Sequence, residues 1–328
     1  TLTATSANHW LTAWLGLELN MISILPMIAK QKHPRSTEAA TMYFLTQAAA
    51  SALMLFSSTL NAWQTGSWDI TQLNNKLSCT LMITALAMKM GAAPTHFWLP
   101  EVMQGTSLTT ALLITTWQKI APITLLYMIS NHAEPIITLS IGLLSILVGG
   151  WGGLNQTQLR KMMAYSSIAH LGWTMTAISV TPNIALTNII IYMIMSTPFF
   201  MLLTTTASKT LQTMTTTWTY APTTTIILTL LLLSMAGLPP LTGFTPKLLI
   251  LDNLATHKLT LTAATMALLS LLSLTFYFRT TYLLTSTAPP TTTQSTSLWR
   301  LKLHQNQTTA MLTPIALFNI TILPALLT

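Results

Sequence analysis

Five ionisable side chains stand inside otherwise apolar sequence. Glu18 lies in Leu15-Gly16-Leu17-Glu18-Leu19-Asn20, and Lys89 in Ala85-Leu86-Ala87-Met88-Lys89-Met90. Lys119 lies in Thr116-Trp117-Gln118-Lys119-Ile120-Ala121. Lys247 ends Gly243-Phe244-Thr245-Pro246-Lys247, and His170 follows Tyr165-Ser166-Ser167. If these stretches cross a bilayer, each such charge costs about 2.5–3.5 kcal/mol to insert. Two roles would justify that cost. The first is structural: Glu18, Lys89 and Lys119 form packing pairs, Lys247 snorkels to the surface, and His170 is a core histidine bonded to Ser or Thr. The second is a relay of protonatable groups. Burial favours the neutral form of an amine or a carboxylic acid, and a nearby opposite charge favours the ionised form. A buried lysine can therefore gain and lose a proton as its partner moves.

Other chemistry is not signalled. Gly149-Gly150-Trp151-Gly152-Gly153 lacks the Lys-Ser/Thr tail and spacing of a phosphate loop. Gly149 and Gly153 instead have the GxxxG spacing of close helix packing. No HExxH, Cys-x-x-Cys, dinucleotide fingerprint or nucleophile elbow is present. The single cysteine, Cys79, can close no internal disulfide and hold no iron–sulfur cluster alone. Methionines read as packing residues. Trp10, Trp63, Trp68 and Trp98 read as membrane-interface residues. Glu38, Asp69, Glu101 and Glu134 are expected in solvated loops, and Asp252 near the far end of a span.

The elements that would position these groups follow from composition. Of 328 residues, 51% are hydrophobic and 6% charged, against about 25% charged in a soluble domain. So few charges cannot clothe a water-soluble globule, whereas a lipid-facing surface needs none. The net charge of +8 does not mark a nucleic-acid binder, because the 14 Lys and Arg are not gathered on one polar segment. A spanning helix needs about 20 mostly apolar residues. That rule predicts an all-α, polytopic transmembrane bundle of about ten spans, near 9–29, 38–60, 77–98, 107–130, 135–153, 161–180, 183–206, 223–256, 259–284 and 309–327. The whole chain, 1–328, reads as one integral membrane domain. Polar loops separate the spans at Lys30–Glu38, Ala62–Lys76, Asn155–Arg160, Ser208–Pro222 and Pro289–Gln307. The last two are expected to be the least ordered, and the final one extends over about 285–308.

Alternating the loops from side to side sorts the basic residues. One side receives Lys30, Lys32, Arg35, Arg160, Lys161, Lys209, Arg279, Arg300 and Lys302, and the other only Lys76 and Lys258. This asymmetry orients the bundle by the positive-inside rule. There is also an internal echo. Met90-Gly91-Ala92-Ala93-Pro94-Thr95-His96-Phe97 and Ala236-Gly237-Leu238-Pro239-Pro240-Leu241-Thr242-Gly243-Phe244 both contain Gly-x-x-Pro followed by Phe. Five spans separate them, so the two helices run in opposite directions. Two interrupted helices in halves of opposite topology fit an antiporter-like inverted repeat.

The stretch from Leu154 to Trp173, with Arg160-Lys161-Met162-Met163-Ala164-Tyr165-Ser166-Ser167-Ile168-Ala169-His170, resembles the signature of the subunit-2 family of NADH dehydrogenase (ubiquinone). These are the mitochondrially encoded, antiporter-like subunits of respiratory complex I. Trp14–Asn20, Met88–Trp98, Trp117–Pro122 and Gly237–Lys247 resemble it as well. Heavy use of Thr, Leu and Met beside scarce Lys and Arg is a bias common in animal mitochondrial proteins.

The resemblance implies a core membrane-arm subunit of proton-pumping NADH:ubiquinone oxidoreductase in the mitochondrial inner membrane, with basic loops on the matrix side. In the implied scheme Glu18 tunes the proton affinity of Lys89. Lys119 is the central relay, His170 lies on the connecting axis, and Lys247 lies toward the exit. The chain itself would carry no cofactor and no metal, whereas FMN, iron–sulfur clusters and ubiquinone belong to the complex. The partners implied are other membrane-arm subunits, above all neighbouring antiporter-like ones, together with lipids and no nucleic acid. Animal members of this family begin with one more apolar helix, so eleven spans are expected in the natural protein and ten here. Two other functions are compatible with the residues alone: a stand-alone cation/proton antiporter, and a structural membrane subunit.

Overall fold

The computed structural model describes residues 1–30, 33–73, 75–219, 221–287 and 307–318. Among them the regular structure is helical, with two isolated bridges, His9 to Asp69 and Gln158 to Thr210. In chain order the helices are α1 (Leu2–Thr5), α2 (Trp10–Ala29), α3 (Pro34–Thr65), α4 (Lys76–Met90), α5 (Trp98–Gly105), α6 (Leu108–Thr115), α7 (Trp117–Ile129), α8 (Pro135–Gly153) and α9 (Leu159–Ile178). They continue with α10 (Pro182–Thr206), α11 (Leu211–Thr215), α12 (Pro222–Ala236), α13 (Phe244–Thr256), α14 (Thr260–Ser286) and α15 (Gln307–Phe318). Six stretches are long and apolar enough to cross a membrane: α2, α3, Leu108–His132, α8, α10 and α14. The third predicted span falls on α4 and α5, the sixth on α9, and the eighth on α12 and α13. The tenth begins on α15 and runs beyond the described residues. The loop at Pro289–Gln307 also lies almost wholly outside them, as do Lys32, Arg300 and Lys302.

The helices start where local chemistry starts them. The side chains of His9, Asn75 and Ser107 accept from backbone N–H groups at the first turns of α2, α4 and α6. Pro34, Pro135, Pro182 and Pro222 occupy first turns, where a missing N–H costs nothing. The loop Ser208–Pro222 is better ordered than expected. Thr210 and Thr213 form a reciprocal cap that starts α11.

The faces are inverted relative to a soluble bundle. On α3 the buried positions Ser36, Ala39, Tyr43, Gln47, Ser51, Met54, Ser58 and Asn61 recur at helical spacing, while Phe44, Leu45, Leu53 and Phe56 are exposed. Polar side chains face protein, and the apolar ones face outward to where lipid would be. Serines and threonines fit apolar helices because their hydroxyls donate to carbonyls of the preceding turn, as Ser166 does to Met163, Ser167 to Ala164 and Thr174 to Leu171.

Helix α9 is the axis of the bundle. It packs against α5, α6, α8, α10 and α13, and nearly all of its residues are buried. Glycines allow the approach of α8. A methyl on Gly149 would lie 2.6 Å from the Ala169 backbone nitrogen, and one on Gly142 would lie 3.0 Å from the Gly172 carbonyl. Gly153 is pressed not on α9 but on Phe276 of α14. The glycine run therefore serves two neighbours.

Contacts sort the loops into two ends. At one, Arg160 donates to the Thr106 carbonyl, Arg279 to that of Leu154, and Leu159 N–H to that of Lys209, while Gly105 rests on the Arg35 backbone. At the other, Lys76 pairs with Glu134 at 3.7 Å, His132 meets the Thr71 carbonyl, and Trp10 N–H donates to Trp68. Among the described residues, the loops predicted to be basic thus gather at one end. Trp10 and Trp98, expected at an interface, are instead buried in protein, at 1% and 5% exposure.

Both predicted interruptions are present and built alike. Gly91 and Gly237 end α4 and α12 at φ of 80° and 83°. Beyond each, the next N–H reaches back five residues, Ala92 to the Ala87 carbonyl and Leu238 to that of Leu233. A third interruption, absent from the sequence prediction, divides 107–130 at Thr116 into α6 and α7. At the break the Lys119 N–H bonds to the Thr116 carbonyl, three residues back, while Pro122 lies inside α7 and supplies no N–H to the Gln118 carbonyl. Replacing Gly91 by Ala forces a Cβ into the left-handed region, 2.8 Å from the Leu99 side chain. The expected cost is about 1–2 kcal/mol, read as a lowered thermal midpoint of the folded protein.

Candidate functional site

Two large apolar clusters fill the interior. One contains Met21, Tyr43, Trp98, Ile114, Ala164, Phe199 and Met235, and the other Leu17, Met54, Met90, Ala121, Leu171, Ile189 and Ile250. Helix after helix passes from one cluster to the other, and a polar group marks the crossing. Glu18 lies between Leu17 and Met21 on α2. Gln47 and Ser51 lie between Tyr43 and Met54 on α3. Thr115, Thr116 and Lys119 lie between Ile114 and Ala121, and Ser166, Ser167 and His170 between Ala164 and Leu171. Thr242, Thr245 and Lys247 lie between Leu241 and Leu249 to Ile250. Glu18, Lys119, His170 and Lys247 therefore share one crossing layer inside the bundle, while Lys89 lies in the last turn of α4 among residues of the second cluster.

Depth agrees with this. Lys89 is the fourteenth residue of α4, about 20 Å along a helix that rises about 1.5 Å per residue. The breaks bring free carbonyls to the same level, where water is scarce and each needs a donor. Gln47 donates to the Lys89 carbonyl at 3.2 Å, and Trp98 Nε1 to that of Met88 at 3.2 Å. Lys247 folds back and gives its ammonium to the Ala236 carbonyl at 2.7 Å.

The five predicted residues are brought into one neighbourhood without forming salt bridges. Among the described residues the single ion pair is Lys76 with Glu134. Glu18 lies within electrostatic reach of Lys89 and Tyr43, and its buried Oε1 has no hydrogen-bond partner. Lys89 and Lys119 both line a narrow cavity of about 20 Å³ with Asn20, Gln47, Gln118 and Tyr43. By the threshold of about 10–15 Å³ this is room for a water molecule. Asn20 and Gln118 close one wall with reciprocal amide bonds of 2.7 and 3.1 Å.

Lys119, 3% exposed, points its Nζ at the Ser167 carbonyl, 3.5 Å away, and over the Tyr192 ring, 5.2 Å from its centroid. His170 tilts against the same ring at 4.8 Å. It is within electrostatic reach of both Lys119 and Lys247 and turns toward the Met235 backbone, not toward Ser or Thr. Lys247 is half-buried beside Trp173 and opens with Asp252 onto a wider pocket. Of the acids assigned to loops, Glu38 and Glu101 sit on α3 and α5, and both are exposed. Sequence reading missed Gln47, Tyr192 and Asn188, which donates to the His170 carbonyl at 3.4 Å. A polar residue at a period-matched position of an apolar helix was the available signal.

A family model described as NADH:quinone oxidoreductase/Mrp antiporter, transmembrane, matches residues 7–273. The chain belongs to that family. It is 50% identical over 321 residues to NADH-ubiquinone oxidoreductase chain 2 of Xenopus laevis, covering 98% of this chain and 92% of the relative. To the chain 2 of Varanus timorensis it is 53% identical over 324 residues, covering 99% and 93%. In three dimensions it is similar to a chain of respiratory complex I from Thermus thermophilus solved with bound aureothin. There the TM-score is 0.84 at 25% identity, over 98% of this chain and 76% of that one. A chain of the Mrp complex from a Dietzia species shares the fold, with a TM-score of 0.78 at 18% identity over 89% and 60%.

The amide pair gives a direct test of how this layer is held. Asn20→Leu and Gln118→Leu each leave one amide without its partner, whereas the double variant removes both. A coupling of about 0.5–3 kcal/mol is expected, measured as thermal midpoints in a double-mutant cycle.

Proposed function

We propose that the chain is a proton-translocating core subunit of the membrane arm of NADH:ubiquinone oxidoreductase, resident in the mitochondrial inner membrane with its basic loops on the matrix side. The observation that carries this reading is the polar layer: one acid, three lysines and a histidine, on five different spans, level with two helix breaks. The relatives named as oxidoreductase chain 2 favour a place in that complex over a stand-alone antiporter.

In this reading the whole chain acts as one membrane domain. Glu18 sets the charge balance of Lys89. The cavity links Lys89 to Lys119 through water, and His170 passes the proton on to Lys247. Lys247 delivers it to the pocket that also holds Asp252. Quinone reduction elsewhere in the complex supplies the energy. FMN, the iron–sulfur clusters and ubiquinone are held by other subunits, and this chain contacts neighbouring antiporter-like subunits and lipid.

Lys119→Ala is expected to abolish or strongly reduce coupled pumping while NADH oxidation centres stay loaded. Measured proton-to-electron stoichiometry at the normal value would overturn the assignment of Lys119. Glu18→Gln combined with Lys89→Met separates a relay from a packing role. Loss of pumping in an assembled complex supports the relay, and intact pumping makes the two residues structural.

A further inference from the structure

Between Lys119 and His170 the relay reading lacks a link. Both groups touch Tyr192, and no hydrogen bond joins them to each other. The Lys119 ammonium stands 5.2 Å from the centroid of the phenol ring, and the His170 ring stands 4.8 Å from it at an interplanar angle of 35°. All three side chains are buried, Tyr192 at 3% exposure. An ammonium over an aromatic face is stabilised by the ring quadrupole, more so when desolvated. The ring therefore stabilises the ammonium form of Lys119 and is the contact that Lys119 and His170 share.

The hydroxyl makes this position unusual. Tyr192 Oη is buried and has no hydrogen-bond partner, although buried hydroxyls are ordinarily bonded. Ser166 and Ser167 stand beside it on α9. Both of their hydroxyls donate to their own helix, at 2.7 Å to Met163 and Ala164, which leaves their lone pairs able to accept. A small shift of the ring would bring the phenol O–H onto a serine acceptor.

We propose that Tyr192 is the gate of the central proton step, its aromatic ring holding the Lys119 ammonium apart from His170 until the ring turns. The step it controls moves one proton. An N–H bond of the Lys119 ammonium breaks, a bond to an imidazole nitrogen forms, and the positive charge passes from lysine to histidine. This rests on the relay reading above.

The test compares Tyr192→Phe, which keeps the ring, with Tyr192→Leu, which removes it, in the assembled complex in sealed vesicles. Protons moved per NADH and passive proton leak without NADH are both measured. The Phe variant, which keeps the ring and loses only its serine contact, is expected to keep the parent's low leak and to lose less stoichiometry than the Leu variant. The Leu variant is expected to lose at least half of the stoichiometry and to leak several-fold faster. A Leu variant with normal stoichiometry and leak overturns the gate. So does a lowered stoichiometry without leak, which would make the ring a holder of Lys119 only. A Phe variant as defective as Leu overturns it too, by assigning the work to the hydroxyl. If the Leu variant does not assemble, Tyr192→Met takes its place, and failure of both assigns the ring to packing. Lys119→Ala in the same vesicles separates the two readings. Normal pumping there sinks the relay, whereas its loss beside a normal Tyr192→Leu sinks the gate alone.

Discussion

Hydrocarbon offers no partner to a charge or to an unpaired backbone carbonyl, and the middle of this bundle is organised by that constraint. The two kinds of group are placed so that each meets the other's need. Breaking α4 and α12 frees carbonyls, and Gln47, Trp98 and Lys247 supply the donors. Placing lysines at this depth creates ammonium groups, and the Ser167 carbonyl, the Tyr192 ring and the Ala236 carbonyl face them. None of these partners is a carboxylate. A lysine held by carbonyls and a ring keeps weaker electrostatic partners than one locked in a buried salt bridge, whose rupture costs about 3–5 kcal/mol. In the proposed relay this looser arrangement suits a group that gives up its proton.

The surrounding fold keeps this layer away from lipid. Helix α9 has neighbours on all sides and carries Ser166, Ser167 and His170 at the crossing between the two apolar clusters. It can sit there because Gly142 and Gly149 let α8 approach to backbone contact. The outer helices complete the shield, with α3 turning Gln47 and Ser51 inward and Phe44, Leu45 and Phe56 outward. The same inversion explains how a chain rich in threonine can be a membrane bundle. Each hydroxyl is absorbed by its own helix, so polarity in the composition does not become polarity on the surface.

Much of this was legible before any coordinates. The class of fold followed from the scarcity of charge, and Glu18, Lys89, Lys119, Lys247 and His170 were conspicuous because each interrupts an apolar run. The two glycine–proline breaks were legible for the same reason. The break at Thr116 was missed because it falls inside a run that otherwise reads as one continuous span, with no Gly-Pro punctuation to mark it. Trp10 and Trp98 were assigned to an interface on residue type, whereas burial depends on which way a helix faces. Tyr192 left only a weak mark, a polar residue one helical turn beyond Asn188 on α10. A tyrosine in an apolar helix is common, and its place against Lys119 and His170 depends on the packing of α7, α9 and α10, which no local pattern records.

The internal echo carries one further consequence. In both interrupted helices the glycine is followed by a proline three residues on and by the start of the second half-helix seven residues on, at Trp98 and at Phe244. The lysines do not follow that register. Lys89 precedes its glycine by two residues, while Lys247 follows its own by ten. Yet Lys89 lies in the last turn of α4, and Lys247 reaches back to the last carbonyl of α12. Two unrelated sequence positions thus bring a lysine to the carbonyl end of the first half-helix, Lys247 through its ammonium and Lys89 through its own place in the last turn. There the helix dipole and the unpaired carbonyls stabilise positive charge. A repeat that preserves the break but not the position of the lysine indicates that the useful feature is the exposed helix terminus at mid-depth, and that more than one geometry can bring an amine to it.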